Sequence, residues 1–86
     1  SVDSVDIIID DGLHEWHAGI CFFENMIKSL RSDGIYIIED VNHRDAIKYK
    51  TFFLKKSDLF DAKFVYLKSP FRRFGDDNNL ICVTKK

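Results

Sequence analysis

Two short β-branched runs, each closed by acids and separated by one helical stretch, constrain this chain more than anything else in it. The first is Asp6-Ile7-Ile8-Ile9-Asp10, running on into Asp11-Gly12. The second is Ile35-Tyr36-Ile37-Ile38, running into Glu39-Asp40. Apolar runs of this length read as strands of a parallel sheet, buried on both faces. Between them Trp16, Ile20, Phe23, Ile27 and Leu30 fall at steps of four, three, four and three. That spacing is one stripe of an amphipathic helix over 15–31, which Ser32-Asp33-Gly34 stops.

The same reading carries on to the end of the chain. A second helix is expected over 44–57, with Ile47, Phe52, Phe53 and Leu54 supplying apolar contacts and lysines facing water. A strand over 62–69, a loop over 70–78 and a final strand over 79–85 follow. The order strand-helix-strand-helix-strand-strand makes an α/β fold, with right-handed crossovers and helices covering a parallel sheet. Its last two strands are joined by a loop too short for a crossover helix, so they should pair antiparallel. Ligands of such sheets bind beyond the carboxyl ends of the strands. Asp10, Asp11, His14, Glu39 and Asp40 all fall there.

Size and charge narrow the classes. At 86 residues, 45% of them hydrophobic, the chain makes at most one small unit. It would bury only about 60% of its unfolded surface, so a piece of a larger domain is expected. Net charge is −1, yet residues 1–45 hold ten acids against three Lys/Arg, and residues 46–86 hold four against ten. The acidic half suits a cation. The basic residues are spread over several elements, as on a solvated face, so nucleic acid is not indicated. No apolar run reaches the ~20 residues of a membrane helix. Cys21 and Cys82 lack the close spacing of a zinc or redox motif, and read as small core residues of a reduced, cytoplasmic protein.

Adjacent strands lie about 4.8 Å apart, so residues just beyond their ends can share one site. Two carboxylates about 4 Å apart repel by about 4 kcal/mol at an effective dielectric of about 20, which calls for a proton, a basic partner or a cation. Asp11, Glu39 and Asp40 would suit Mg²⁺, which takes oxygen ligands and keeps several waters. His14, just past the turn that Gly12 allows, could take a proton from a hydroxyl. The plainer alternatives stay open at this point. Strand-end acids often cap the next helix, as Asp11 with Glu15 could. His17 reads as a helix-surface histidine, His43 as a loop residue, Trp16 and the first helix's phenylalanines as core, and Arg72 and Arg73 as solvated.

Together, 6–14 (Asp-Ile-Ile-Ile-Asp-Asp-Gly-Leu-His) and 34–40 (Gly-Ile-Tyr-Ile-Ile-Glu-Asp) resemble the metal-dependent macrolide sugar O-methyltransferases of the mycinamicin and rhamnosyl type. These are class I S-adenosylmethionine-dependent enzymes. Their pattern is an Asp-Asp-Gly-Ser-His turn, a helix, then a strand ending Ile-Glu-Asp. The segment 75–80 and Lys85 are similar to the family's closing hairpin, so the likeness covers nearly the whole chain. Leu13 replaces the usual Ser, and Ser32-Asp33-Gly34 replaces a common Pro-Gly-Gly; neither removes a proposed ligand. The resemblance implies Mg²⁺ on Asp11, Glu39 and Asp40, His14 as general base, Asp10 toward the cofactor, S-adenosylmethionine as methyl donor and a sugar hydroxyl as acceptor. The family's Gly-rich cofactor loop is missing. The chain would therefore supply the fourth to seventh strands of a Rossmann-like methyltransferase sheet, inactive in isolation and self-associating through its exposed first-strand edge.

Two other classes compete. A Mg²⁺-dependent phosphoryl-transfer domain also uses strand-end aspartates, but Asp10-Asp11-Gly12 lacks the Asp-x-Asp of the phosphatase type and no Lys ends an early strand. A non-catalytic, dimerising binding module would keep the fold and use its open edge.

Overall fold

The computed structural model describes residues 5–11, 15–65 and 79–86. In chain order they form β1 (Val5–Asp10), α1 (Trp16–Met26), a 3₁₀ turn (Ile27–Ser29), β2 (Leu30–Val41), α2 (His43–Lys55), β3 (Phe60–Val65) and β4 (Asn79–Lys85). The strands make one mixed sheet in the order β1-β2-β4-β3. β1 and β2 run parallel, while β4 lies antiparallel to both of its neighbours. The final strand is thus antiparallel, as expected, and it is inserted between β2 and β3 rather than added at the edge.

Both helices bury against one side of this sheet. Ile8, Tyr36, Ile38, Ile81 and Val83 share that side and are buried beneath Phe23 and Ile27 from the first helical stretch and Ala46, Tyr49 and Phe53 from α2. Phe23 is the hub. Its ring meets Tyr36, Phe53, Phe60 and Phe52 edge-on, at centroid distances of 4.9, 5.1, 5.2 and 6.0 Å. Edge-to-face pairs at such distances add about 0.5–1.5 kcal/mol each beyond the area they bury.

The sheet's other side is open among the described residues, which corrects the expectation of strands buried on both faces. Ile7 and Ile9 are 57% and 58% exposed, and Ile35 is 40% exposed. Burial alternates along β1 and through the middle of β2 with the strand period of two, so each run is half covered. An apolar run therefore records two apolar faces, but not that both are covered.

Other boundaries also move. The apolar stripe of α1 runs on to Leu30, yet the α-helix ends at Met26 and the chain is already in β2 at Leu30. Ser32-Asp33-Gly34 consequently lies inside β2, beside a register shift between Val5 and Ile7, and does not stop the helix. Gly34 is needed there by close approach, since a Cβ would sit 2.6 Å from the carbonyl oxygen of Asp6. In α2 the buried stripe is Ala46, Tyr49 and Phe53, whereas Ile47 and Leu54 face outward. Cys21 is exposed and Cys82 half-buried, and both are free thiols. The expected core role fails for Cys21 because α1 turns it away from Phe23. Among the described residues no helix is long and apolar enough to cross a membrane.

Candidate functional site

β1 ends at Asp10, beside Ile38, and β2 runs three residues further to Val41, so Glu39 and Asp40 lie inside β2 rather than beyond its end as the sequence suggested. Asp10 pairs in register with Ile38, so the next residues along, Asp11 and Glu39, emerge from adjacent strands. Alternation then decides which way they go. Asp10 follows Ile8 onto the helix-covered side and is 3% exposed, while Asp11 is exposed and Glu39, next to fully buried Ile38, is half-buried toward the open side. Asp40 is exposed and has φ 55°, the one non-glycine residue in the left-handed region among those described. Aspartate tolerates this conformation better than most residues, and such outliers are enriched at functional sites.

None of these acids is the N-cap residue of a described helix. The N-cap of α1 is Glu15, without a side-chain hydrogen bond, and the N-cap of α2 is Asn42, whose Oδ1 accepts from the Asp45 backbone N–H at 2.7 Å. Asp11 and Asp40 thus lie outside both cap positions. His43, read as a loop residue, is exposed in the first turn of α2. His17 is on the surface of α1, 3.7 Å from Glu15. Trp16 is half-buried against the core, beneath the Lys48 ammonium at 5.1 Å.

Beneath the strand ends sits a buried polar group that sequence reasoning missed. Tyr36 and Tyr49 are buried on the helix-covered side, and both hydroxyl pKa values are raised, first by burial and then by the negative charge of nearby Asp10. The Tyr36 hydroxyl has no hydrogen-bond partner among the described residues. A tyrosine in a run of isoleucines was the available signal, since its hydroxyl must go somewhere. Asp10 is therefore enclosed with two tyrosines, while Asp11, Glu39 and Asp40 are the accessible acids.

No protein-family model, curated protein or solved structure matches the chain. The chemistry of the strand ends has to be read from the residues themselves. Asp11, Glu39 and Asp40 present only carboxylate oxygens, the donor type a hard divalent cation takes. Among the described residues, however, no three His, Cys, Asp or Glu side chains converge closely enough to hold a metal ion. The acids share one end of the sheet without forming a closed ligand set. His14, Arg72 and Arg73 lie outside the described residues.

Proposed function

We propose that the chain is the metal-binding and acceptor-activating part of a class I S-adenosylmethionine-dependent O-methyltransferase, working in the cytoplasm on a hydroxyl of a sugar or glycosylated metabolite. One observation carries this reading: Asp11 and Glu39 emerge together from adjacent parallel strands, with Asp40 beside them in a strained conformation and outside both N-cap positions. The parallel β1–β2 pair, with a helix between its strands and acids at its carboxyl end, is the place where such sheets hold ligands.

Within this reading Asp11, Glu39 and Asp40 are the residues that would hold Mg²⁺. A bound Mg²⁺ would supply positive charge beside the acceptor oxygen. His14 receives the acceptor's proton as the oxygen is alkylated. Asp10, enclosed with Tyr36 and Tyr49, serves the cofactor side through the strand end that it anchors. β1 is an edge strand of the described sheet, and self-association along it belongs to the same proposal.

The test is methyl transfer from isotopically labelled S-adenosylmethionine to a panel of glycosylated acceptors, by the natural protein that carries this chain, with Mg²⁺ or with EDTA. Label appearing on an acceptor oxygen only when Mg²⁺ is present is the expected result. Label transfer unchanged by EDTA would remove the metal from the reading. Phosphoryl transfer from a small phosphodonor to Asp11, without any methyl transfer, would replace the reading altogether.

A further inference from the structure

The open side of the sheet carries a pattern that the strand-end site does not use. The pairing register arranges eight residues there in two rows across the four strands. One row is Ile7, Ile35, Thr84, Asp61; the next is Ile9, Ile37, Cys82, Lys63. Both rows run from isoleucine at the β1 edge to a charge at the β3 edge, and the charges are opposite. The surface is shallowly concave, with a depression of about 590 Å³ whose lining includes Ile35, Ile37, Lys63 and Cys82.

We infer that this face is a homodimer interface, in which a second copy of the chain stacks its own open face on the first about a two-fold axis running across the strands. Such an axis, placed midway between the rows, exchanges them. Ile7 then faces the partner's Ile9, Ile35 the partner's Ile37, Thr84 the partner's Cys82, and Asp61 the partner's Lys63. A two-fold interface must be complementary to itself, and here both the apolar and the charged positions satisfy that condition. An axis along the strands would instead lay the isoleucines of β1 over the charged rim of β3.

Pairing through the β1 edges is the other route to a dimer. It leaves Ile7, Ile9 and Ile35 as exposed as in the single chain, whereas stacking covers them. Sheets stack about 10 Å apart with side chains interdigitating, within reach of a lysine from the opposite layer. Four strands about 4.8 Å apart and two rows deep present roughly 260 Å², about a third of the ~800 Å² per partner of a standard stable interface. The dimer should therefore be weak and concentration-dependent. Asp61 already approaches Lys86 at 3.9 Å, but the Asp61 side chain is largely exposed, and the long Lys86 chain can yield. The stacked dimer does not rest on the methyltransferase reading, and it competes with the edge pairing proposed there.

Sedimentation equilibrium of the 86-residue chain, from micromolar to millimolar concentration, tests it. Wild type should dimerise reversibly, and Ile9→Lys should be monomeric throughout. Asp61→Lys and Lys63→Asp should each weaken the dimer by roughly tenfold or more through like-charge contact, and the double exchange should restore it. In a Cys21→Ser background, alkylation of Cys82 should slow as protein concentration rises. Far-UV circular dichroism checks that each variant keeps its fold, which is expected because the altered side chains are exposed. A strictly monomeric wild type overturns the proposal and gives the face to another occupant. Dimerisation indifferent to Ile9→Lys and to both charge exchanges overturns it in favour of edge pairing.

Discussion

The Asn79 side chain donates a 3.0 Å hydrogen bond to the carbonyl oxygen of Val41, and both residues are buried. This bond crosses between β4 and β2 where their ladder slips, between Ile38 and Val41. Glu39 and Asp40 occupy that slip. The two acids are thus held on a segment whose far end is tied down by an amide 38 residues away in sequence, so the site's geometry depends on a residue outside it.

Replacing Asn79 by Leu should cost about 1–3 kcal/mol, because the Val41 carbonyl stays buried and loses its donor. Urea unfolding checks this. An unchanged midpoint would mean that the carbonyl finds another donor and that the tie is dispensable.

Asp40 permits a sharper separation of strain from function. Glycine adopts φ near 55° without penalty, so Asp40→Gly should keep or raise stability by up to ~1 kcal/mol, while Asp40→Ala should lower it. If Asp40 is also a cation ligand, the rise in melting temperature on adding Mg²⁺ to wild type should be absent in both variants. Equal Mg²⁺ shifts in wild type and Asp40→Gly would show that the residue is there for the turn alone.

Gly34→Ala should destabilise by about 1–3 kcal/mol, the cost of forcing a methyl group into a packed site. A Cβ there meets the Asp6 carbonyl oxygen at 2.6 Å and the Leu30 side chain at 2.7 Å. The leucine can shift, but the backbone oxygen belongs to the β1–β2 pairing. Thermal unfolding of the variant within one degree of wild type would show that β1 moves away freely.

Much of the fold was legible because local chemistry and tertiary structure agree. The Asn79–Lys85 strand and the acid closing β1 follow from short apolar runs bounded by polar residues, whereas β2 runs on through Glu39 and Asp40 to Val41. The errors came where one pattern serves two outcomes. Leu30 continues the helical stripe of Phe23 and Ile27, yet it is buried as the first residue of β2, where its carbonyl accepts from the Lys85 ammonium. A partner 55 residues away decides that residue, and no local window contains it. Ile7 and Ile9 match Ile8 in composition, and only the placement of both helices on one side separates them. In the site, the neighbourhood of Asp11 and Glu39 could be read from strand order. The left-handed turn at Asp40 could not, because it lies in the slip between β2 and β4, and the burial of Asp10 could not, because it depends on which side of the sheet the helices cover.

His14 bears the catalytic proposal. In the natural protein His14→Ala should lower kcat by roughly 10²- to 10⁴-fold, the usual contribution of a positioned base, with S-adenosylmethionine binding retained. His17→Ala should change little, since that side chain lies on the surface of α1. Turnover of His14→Ala close to wild type from about pH 6 to 9, either side of an ordinary imidazole pKa, would assign the proton to another group.

The buried tyrosines set the response to alkali. Tyr36 and Tyr49 have hydroxyl pKa values raised by burial and by Asp10, whereas in the unfolded chain each ionises near its ordinary value of about 10. Below about pH 10 both states keep these protons, and the two tyrosines leave stability independent of pH. Above it the unfolded chain binds fewer protons than the folded one, so stability must fall as pH rises, by about 1.4 kcal/mol per pH unit for each tyrosine. Tyr36→Phe should remove its share of that slope. At neutral pH the same substitution should be neutral or stabilising by up to about 1 kcal/mol, because the hydroxyl it deletes is buried without a partner among the described residues. Urea unfolding of wild type and Tyr36→Phe at pH 7 and at successive steps above pH 10 measures both effects. Loss of stability at pH 7 would mean that the hydroxyl is bonded after all, and an identical alkaline slope would place the titration at another group.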